Sequence, residues 1–463
     1  MAIDAQEPGS PDWWLIRLGK RLEADRPRIE LLEAYHRGDP PLPYGNRKMR
    51  DAYRALQRMA RANFAGLVVE AVLERLTPVG FSTGSGGDDN ADRAAWATWQ
   101  RNSLDADIPL VLRQALAVSR AYMMVGQERP GRALITPEDA KSVIHESDPT
   151  NRRRLRAGMK CWLDDVTQRE RALVMLPEGV VYYSAAQRNS DADAWNPARW
   201  ERDTSEGDDG VAASPTPGLV PLVPFIGRPS LDGDLRHALG EFEDVTDILD
   251  RINKVILDRM VISAMQAYRQ RWATGVLIDD QDFDPGADLL WNVENPDVKF
   301  GEFQVADLRQ VLEANLADIR QVAAITRTPA HYFVGELNNV NGETLKATET
   351  GLVAKGRDRM RQFGESCEQV NRLAGLIEGR EVADDAETIW ADPQSHSVAE
   401  LYDAAVKAVS AGEPWSTRMR LLGHTPQEID RMQAERAAEQ RDAADLAARS
   451  FGVDAGPVEA GAA

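Results

Sequence analysis

The chain has 463 residues, 43% of them apolar and 28% charged, with a net charge of −19 and a pI near 4.9. That length allows two to four domains with a sizeable core, and the acidity argues against a dedicated nucleic-acid binder, which carries a basic patch or a high pI. An acidic conduit stays open, because its wall would repel DNA and keep it from sticking.

Three further classes lose support. The longest apolar run, Leu219 to Ile226, holds two prolines and is too short to span a bilayer. The start, Met1-Ala-Ile-Asp-Ala-Gln-Glu, lacks the basic and apolar regions of a secretory signal. Cys161 and Cys367 stand far apart, which argues against a disulfide framework or a zinc site and for a reducing cytosolic origin.

Residues 12 to 76 read mostly as helices, broken by a Pro/Gly-rich stretch from Gly38 to Gly45. Tyr53, Leu56, Met59, Ala60, Phe64, Leu67, Val68, Ala71 and Val72 make a helical stripe. Arg47, Lys48, Arg50, Arg54, Arg58 and Arg61 make the same segment locally basic; a polyanion would fit it, but charge runs of this kind usually just face water. Pro78 ends this helical region. A Gly/Ser/Asp loop is expected over Ser82 to Asn90, then helices over Trp96 to Arg101 and Pro109 to Val125.

From Ser142 to Ala185 the period changes. Ser142-Val-Ile-His-Glu146, Gly158-Met-Lys-Cys-Trp-Leu163, Ala172-Leu-Val-Met-Leu176 and Val180-Val-Tyr-Tyr-Ser184 predict an antiparallel meander. Asn189 to Gly218 reads as a polar loop, anchored by Trp195 and Trp200. Gly218 to Phe225 is an edge or extended segment, since its prolines lack N–H donors.

Glu241 to Ala273 is the strongest helix of the sequence. Phe242, Val245, Leu249, Ile252, Ile256, Met260, Ser263 and Ala267 step by three or four, and the span predicts a rod of about 50 Å. Gly275 stops it. A small α/β or β excursion follows to Phe303, with strand-like Leu289 to Val293 and Val298 to Phe300. A second rod runs from Gln304 to Ile325. A third helix covers Glu343 to Leu373; its glycines 351, 356 and 364 predict a bend or close packing. Ala386 to Leu422 reads as helical with breaks at Pro393 and Gly412. Thr425-Pro-Gln-Glu428 has the form of a capping box opening a last helix to about Arg449. Residues 380–463 hold eight basic and sixteen acidic residues, so they carry much of the negative charge. The tail from Gly452 is expected to be disordered. The fold class is thus α+β, mainly helical, built around two rods that leave and return to one body.

Catalytic motifs are few. Gly80-Phe-Ser-Thr-Gly84 matches the G-x-S-x-G elbow, but the expected helix–proline–loop context is not the strand–turn–helix that an elbow needs. Asp280, Asp282 and Asp284 copy the first half of a calcium loop, which then requires Gly and Glu where this chain has Pro285 and Trp291. An acidic surface turn is the better reading. No Walker loop, HExxH or GxGxxG occurs, and the six histidines are scattered. The chain is read as a non-enzyme with no cofactor and no metal. Asn151-Arg-Arg-Arg154 with Arg156 is a basic turn; a phosphate backbone or plain water would suit it equally. Asn338, Asn339 and Asn341 are turn formers. They cap the helix from Glu343, or they form a mobile loop facing a passing polymer.

Several short segments share an order with one known family. They are Leu31-Leu-Glu-Ala-Tyr35 with Tyr53, Met159 to Asp165 with Trp162, and Val220-Pro-Leu-Val-Pro-Phe225. Then come Phe242 to Asp258, Ile325-Thr-Arg-Thr-Pro329 with Val334-Gly335, Asn341-Gly-Glu-Thr344, and Gly423-His-Thr-Pro426 with Glu428 and Ile429. In this order the chain resembles the portal proteins of long-tailed bacteriophages of actinobacterial hosts. The resemblance implies a portal-like fold with wing, two-helix stem, small clip and helical crown. Residues 1–238 and 329–379 would be the wing, the latter with the tunnel loop and a long bent helix. Residues 239–268 and 304–328 would be the stem, 269–303 the clip, and 380–463 the crown with its tail. The DNA-channel loop would comprise Asn338, Asn339, Val340, Asn341 and Gly342; the clip would bind partners through Asp280, Asp282, Asp284 and Trp291. The implied function is a homo-oligomeric ring, typically a dodecamer, at the capsid vertex. Double-stranded DNA would pass through it, and terminase, a head-completion or adaptor protein and a major capsid or scaffolding protein would dock on it. It would be made in the host cytoplasm and end in the virion, with no membrane partner. The competing readings are an intracellular hydrolase using Ser82 and a scaffold without a channel.

Overall fold

The computed structural model describes residues 3–43, 51–83, 89–187, 194–205, 210–267, 271–274, 299–302, 307–335, 342–380, 382, 385–394 and 396–450. Helix α1 (Pro11–His36) opens with Ser10, whose hydroxyl accepts from the Trp13 N–H at 3.1 Å. Helices α2 (Asp51–Met59) and α3 (Phe64–Leu73) follow, so the stripe is shared by two helices rather than one. Strand β1 (Pro78–Thr83) comes next, then α4 (Asp89–Arg101) and α5 (Leu104–Val118). Two expectations change here. Pro78 does not end a helix but begins a strand, where its missing N–H costs nothing at an edge. The expected loop over Ser82 to Asn90 is also narrower, since Ser82 and Thr83 belong to β1 and Asp89 already opens α4.

The helix expected over Pro109 to Val125 stops at Val118. Ser119 takes φ 76°, a left-handed backbone that helices do not continue through. The chain then turns into β2 (Arg120–Arg129), which pairs with β3 (Arg132–Glu138). Ala121, Tyr122, Met123 and Val125 are all buried, so the strand has apolar residues on both faces and no alternation.

The predicted meander is present. Strands β4 (Val143–Asp148), β5 (Asn151–Asp164), β6 (Arg169–Met175) and β7 (Gly179–Ala186) pair consecutively and antiparallel. The segment read as a loop from Asn189 contains β8 (Trp200–Arg202) and β9 (Val211–Ala213), both pairing with β7. Trp195 and Trp200 do anchor it: their rings stack at 5.3 Å, buried against α1. Strand β10 (Leu222–Ile226) is an edge of the three-stranded sheet β10-β2-β3, as Pro224 within it requires.

Helix α6 (Thr246–Ala267) is shorter than read, 22 residues or about 33 Å. Its apparent first turn is a 3-10 turn, Glu243–Val245, and its apparent last residues form β11 (Arg271–Thr274). Strand β11 pairs antiparallel with β12 (Lys299–Glu302), and that ladder overrides the helical period. Next come α7 (Leu308–Thr326), α8 (Ala330–Val334) and α9 (Gly342–Glu378). Helix α9 runs for 37 residues through glycines 351, 356 and 364 without a break. The crowded glycine is Gly375, where an added Cβ would lie 2.5 Å from the Val382 side chain.

The expected helix from Ala386 begins instead as β13 (Ala386–Trp390), which pairs antiparallel with β1. Helices α10 (Val398–Ser410), α11 (Trp415–Leu421) and α12 (Pro426–Ser450) complete the chain. The capping box is formed: the Glu428 N–H donates to Thr425 Oγ1 at 3.3 Å, and the Thr425 N–H donates to Glu428 Oε2 at 3.1 Å. The largest core joins α1, α3, α5, β2, the start of α6 and α9; a second packs α1 on the meander.

Candidate functional site: the helical hairpin and its root

Helices α6 and α7 form a hairpin. The Arg251 guanidinium bridges to both oxygens of Asp318, at 3.0 and 2.7 Å, and to Gln321 Oε1 at 3.1 Å. Among the described residues, the buried apolar ones of the hairpin lie at its root: Leu249, Ile252 and Leu257 on α6, and Ile319, Val322 and Ala323 on α7. Residues 258–264 are partly or fully exposed, as are nearly all of 307–318. Beyond α6 the ribbon β11–β12 brings the two strands into register, Arg271 opposite Glu302. Thr274 and Lys299, the residues on either side of 275–298, are therefore paired partners. Asp280, Asp282, Asp284 and Trp291 lie in that stretch, outside the described residues.

Two polar contacts fix the root to the N-terminal helices. Buried Asn253 accepts from the Ala62 N–H at 3.0 Å, and the Tyr35 hydroxyl donates to Asp250 Oδ1 at 2.7 Å. Burial, then the Asp250 carboxylate, raise the Tyr35 pKa well above that of free tyrosine, so it stays a donor.

A charged cluster binds the root to α9. The Glu241 carboxylate is buried between Lys355 Nζ at 2.7 Å and Arg359 Nε at 2.6 Å, while its own N–H donates to the Leu116 carbonyl at 2.7 Å. Burial alone would raise the Glu241 pKa; the two cations overcome it and hold the carboxylate below its usual range. Lys355 also donates to the Thr326 carbonyl at 2.9 Å, which is the last residue of α7. One ammonium therefore touches the entrance of α6, the exit of α7 and the middle of α9. Beside it opens a cavity of about 500 Å³, lined among others by Arg228, Asp244, Arg327 and Arg361.

The chain then turns sharply. Arg327 takes φ 52°, Pro329 caps α8, and Gly335 takes φ 69° before residues 336–341. Arg75 holds this region: its guanidinium reaches the Tyr332 hydroxyl and Glu349 Oε2, both at 3.1 Å, and the Pro393 carbonyl at 2.5 Å. Gly342 is the first residue of α9. Asn338, Asn339, Val340 and Asn341 lie outside the described residues.

The root carries charge and hydrogen bonds but no paired nucleophile and base. Among the described residues no group of three or more His, Cys, Asp or Glu could hold a metal, and no helix is long and apolar enough to cross a membrane. Ser82 lies within β1, opposite Glu387 of β13. An elbow serine occupies a tight turn after its strand, not an extended ladder position. Sequence reasoning missed Glu241, Lys355 and Arg359. A signal was present: Leu352, Lys355, Arg359 and Phe363 share one face of α9, and a charge on an apolar stripe calls for a buried partner.

The model of the family described as "Phage portal protein, SPP1 Gp6-like" matches residues 17–442. The chain belongs to that phage portal protein family. All the segments that carried the resemblance fall inside the matched span. The portal protein of Mycobacterium phage L5 is 25% identical over 425 residues, covering 88% of this chain and 84% of the relative. The portal protein of Mycobacterium phage D29 is 26% identical over 428 residues, covering 87% and 84%. Among solved structures, a chain of the virion of a native gene transfer agent particle is similar at 14% identity, with a TM-score of 0.43 over 86% of this chain and 98% of that one. A chain from the neck of an empty gene transfer agent particle, computed with C6 symmetry, is similar at 12% identity with a TM-score of 0.44, covering 82% and 96%.

Proposed function

We propose that the chain assembles as a closed ring of twelve copies at the capsid vertex, through which double-stranded DNA is packaged and ejected. The observation that carries this reading, beside family membership, is the rooted hairpin. An exposed two-helix arm ends in a narrow ribbon, and its base is locked by Lys355 to the helix that follows residues 336–341. Such an arm has too little apolar contact of its own to be an independent unit; it suits a stem that neighbours flank in a ring. In this reading α6 and α7 are the stem, residues 269–303 the clip and residues 336–342 the tunnel loop. Residues 1–238 with 329–379 form the wing, and 386–449 the crown. The net charge of −19 keeps the channel from holding DNA.

Terminase, then a head-completion protein, would dock on the clip, because exposed loops on rigid supports commonly carry recognition. Deleting Gln281 to Gly286 is expected to leave the far-ultraviolet spectrum unchanged and to weaken capture of both proteins; unchanged capture removes the clip assignment.

Light scattering and negative-stain images of the purified full chain test the ring itself. The expected particle is an annulus of about twelve times the 51.2 kDa chain mass. A monomer or a two-fold dimer under all assembly conditions overturns it.

A further inference from the structure

Helix α10 has an apolar arc wider than one neighbour can cover. At roughly 100° per residue, Leu401, Ala404, Ala405 and Ala408 occupy one arc, and Val398, Tyr402, Val406 and Val409 the adjoining one. Together they span roughly 200°, about twice the stripe of a helix packed on one side. The first arc faces inward, with Ala405 and Ala408 buried. The second is open: Val398 is 70% exposed, Tyr402 60%, Val406 68% and Val409 54%. The polar side, with Glu400, Asp403 and Lys407, is separate and already in use. Glu400 completes the capping box with Ser397 and pairs with Lys346, and Asp403 pairs with Lys407. The open stripe is thus not an incidental scatter of surface apolar residues.

Helix α12 has the matching shortage. Ile429 is buried at its start, and Arg436 lies over the Trp415 ring at 5.6 Å. Residues 437–446 are then exposed on every side. Two heptads after Ile429 and Met432, Ala443 and Leu446 repeat their positions on the helix, yet Leu446 is 72% exposed. A helical stretch exposed all round, as residues 437–446 are, is marginal in water.

We propose that the exposed stretch of α12 around Ala443 and Leu446 packs on the Val398–Tyr402–Val406–Val409 stripe of a second copy of this chain. Each protomer gives one arm and receives one. The lengths agree: the stripe runs about 17 Å along α10 and residues 437–446 about 15 Å along α12. So do the shapes, since an alanine-rich surface admits the ridge of β-branched and aromatic side chains. The arm does not lie on its own stripe, which stays more than half exposed in the isolated chain. Giving one surface and receiving with another is a heterologous contact, the kind that closes rings. This inference rests on the ring reading and deepens it by naming one contact between copies.

Cross-linking tests it in the full chain carrying C161A and C367A, with V406C and L446C added and a short bismaleimide. A ladder of multimers on a denaturing gel is expected, and a heterodimer when V406C and L446C chains are mixed. A link confined to single chains overturns arm exchange, as do intact rings that give no link. Y402D with V406D, both at exposed positions, is expected to lower the ring fraction about tenfold with unchanged circular dichroism; an unchanged ring fraction overturns the proposal. Should the wild-type chain never form rings, the ring reading itself falls, and that outcome is told apart by the wild-type control.

Discussion

The ammonium of Lys355 lies 2.7 Å from the Glu241 carboxylate, and the two residues are 114 positions apart, one on α9 and the other in the segment leading into α6. Both are buried, so neither charge can turn to water if the other is removed. Lys355→Met is therefore expected to destabilise the chain by about 3 kcal/mol, the usual cost of breaking a buried pair from one side. It also orphans the Thr326 carbonyl at the end of α7. Urea unfolding of wild type and variant measures the difference; a loss under about 1 kcal/mol would show that the cluster is not a lock.

Acid should weaken the sheet that holds β4 before it reaches that lock. His145 is buried, its Nδ1 3.2 Å from the Tyr122 hydroxyl, and burial, then Arg120 and Arg21, push its pKa down to about 3. The unfolded chain takes up this proton near pH 6.5, whereas the folded chain resists it. The contribution of neutral His145 is thus complete above pH 6.5 and is lost as pH falls from there toward 3. By pH 5.5 about 1.4 kcal/mol should be gone. His145→Asn should flatten the slope of stability against pH between 6.5 and 5; an unchanged slope contradicts the assignment. Glu241, held below its usual range, contributes fully above the normal carboxylate pKa and loses that contribution only at more acid pH.

Ser82→Ala should leave any activity of the preparation toward activated esters unchanged. Ser82 is in register with Glu387 inside a two-stranded ladder, so its backbone is extended rather than turned. A Ser82-dependent turnover would restore the hydrolase reading.

If residues 336–342 line the channel, adding charge there must make DNA stick. Asn338→Arg with Asn341→Arg, repeated around a ring, supplies many phosphate contacts. Particles assembled from that chain are expected to package shorter genomes and eject slowly, and raised salt should relieve both. Normal packaging and ejection would remove the loop from the channel wall.

Much of the architecture was readable where turn signals bracket short apolar runs or where one face of an element meets water. The meander from Val143 to Ala186 alternates or is cut by turns, and the rods α6 and α7 show a clear period. Legibility failed where a strand buried on both faces follows a helix with no turn signal between them, or where the partner is distant. Ala121 to Val125 carries no alternation, so it passed for a helix. Ala386 to Trp390 is a strand only because Pro78 to Thr83 is there to receive it. Of the proposed contact residues, Asp280, Asp282, Asp284, Trp291 and Asn338 to Asn341 lie outside the described residues, whereas the root cluster went unread. Lys355 and Arg359 look like solvated charges until Glu241 is brought against them.

The ladder between β1 and β13 also has a consequence for how the chain is made. Its two strands are roughly 300 residues apart, a separation that makes the pairing a late and slow folding step. At ordinary translation rates β1 waits about 15 to 60 seconds for its partner to leave the ribosome. During that time both edges of an apolar strand are open to other nascent chains. Wherever many copies are made at once, this hazard comes before any ring exists, and the yield of assembled particles would then depend on how well β1 is guarded in the interval.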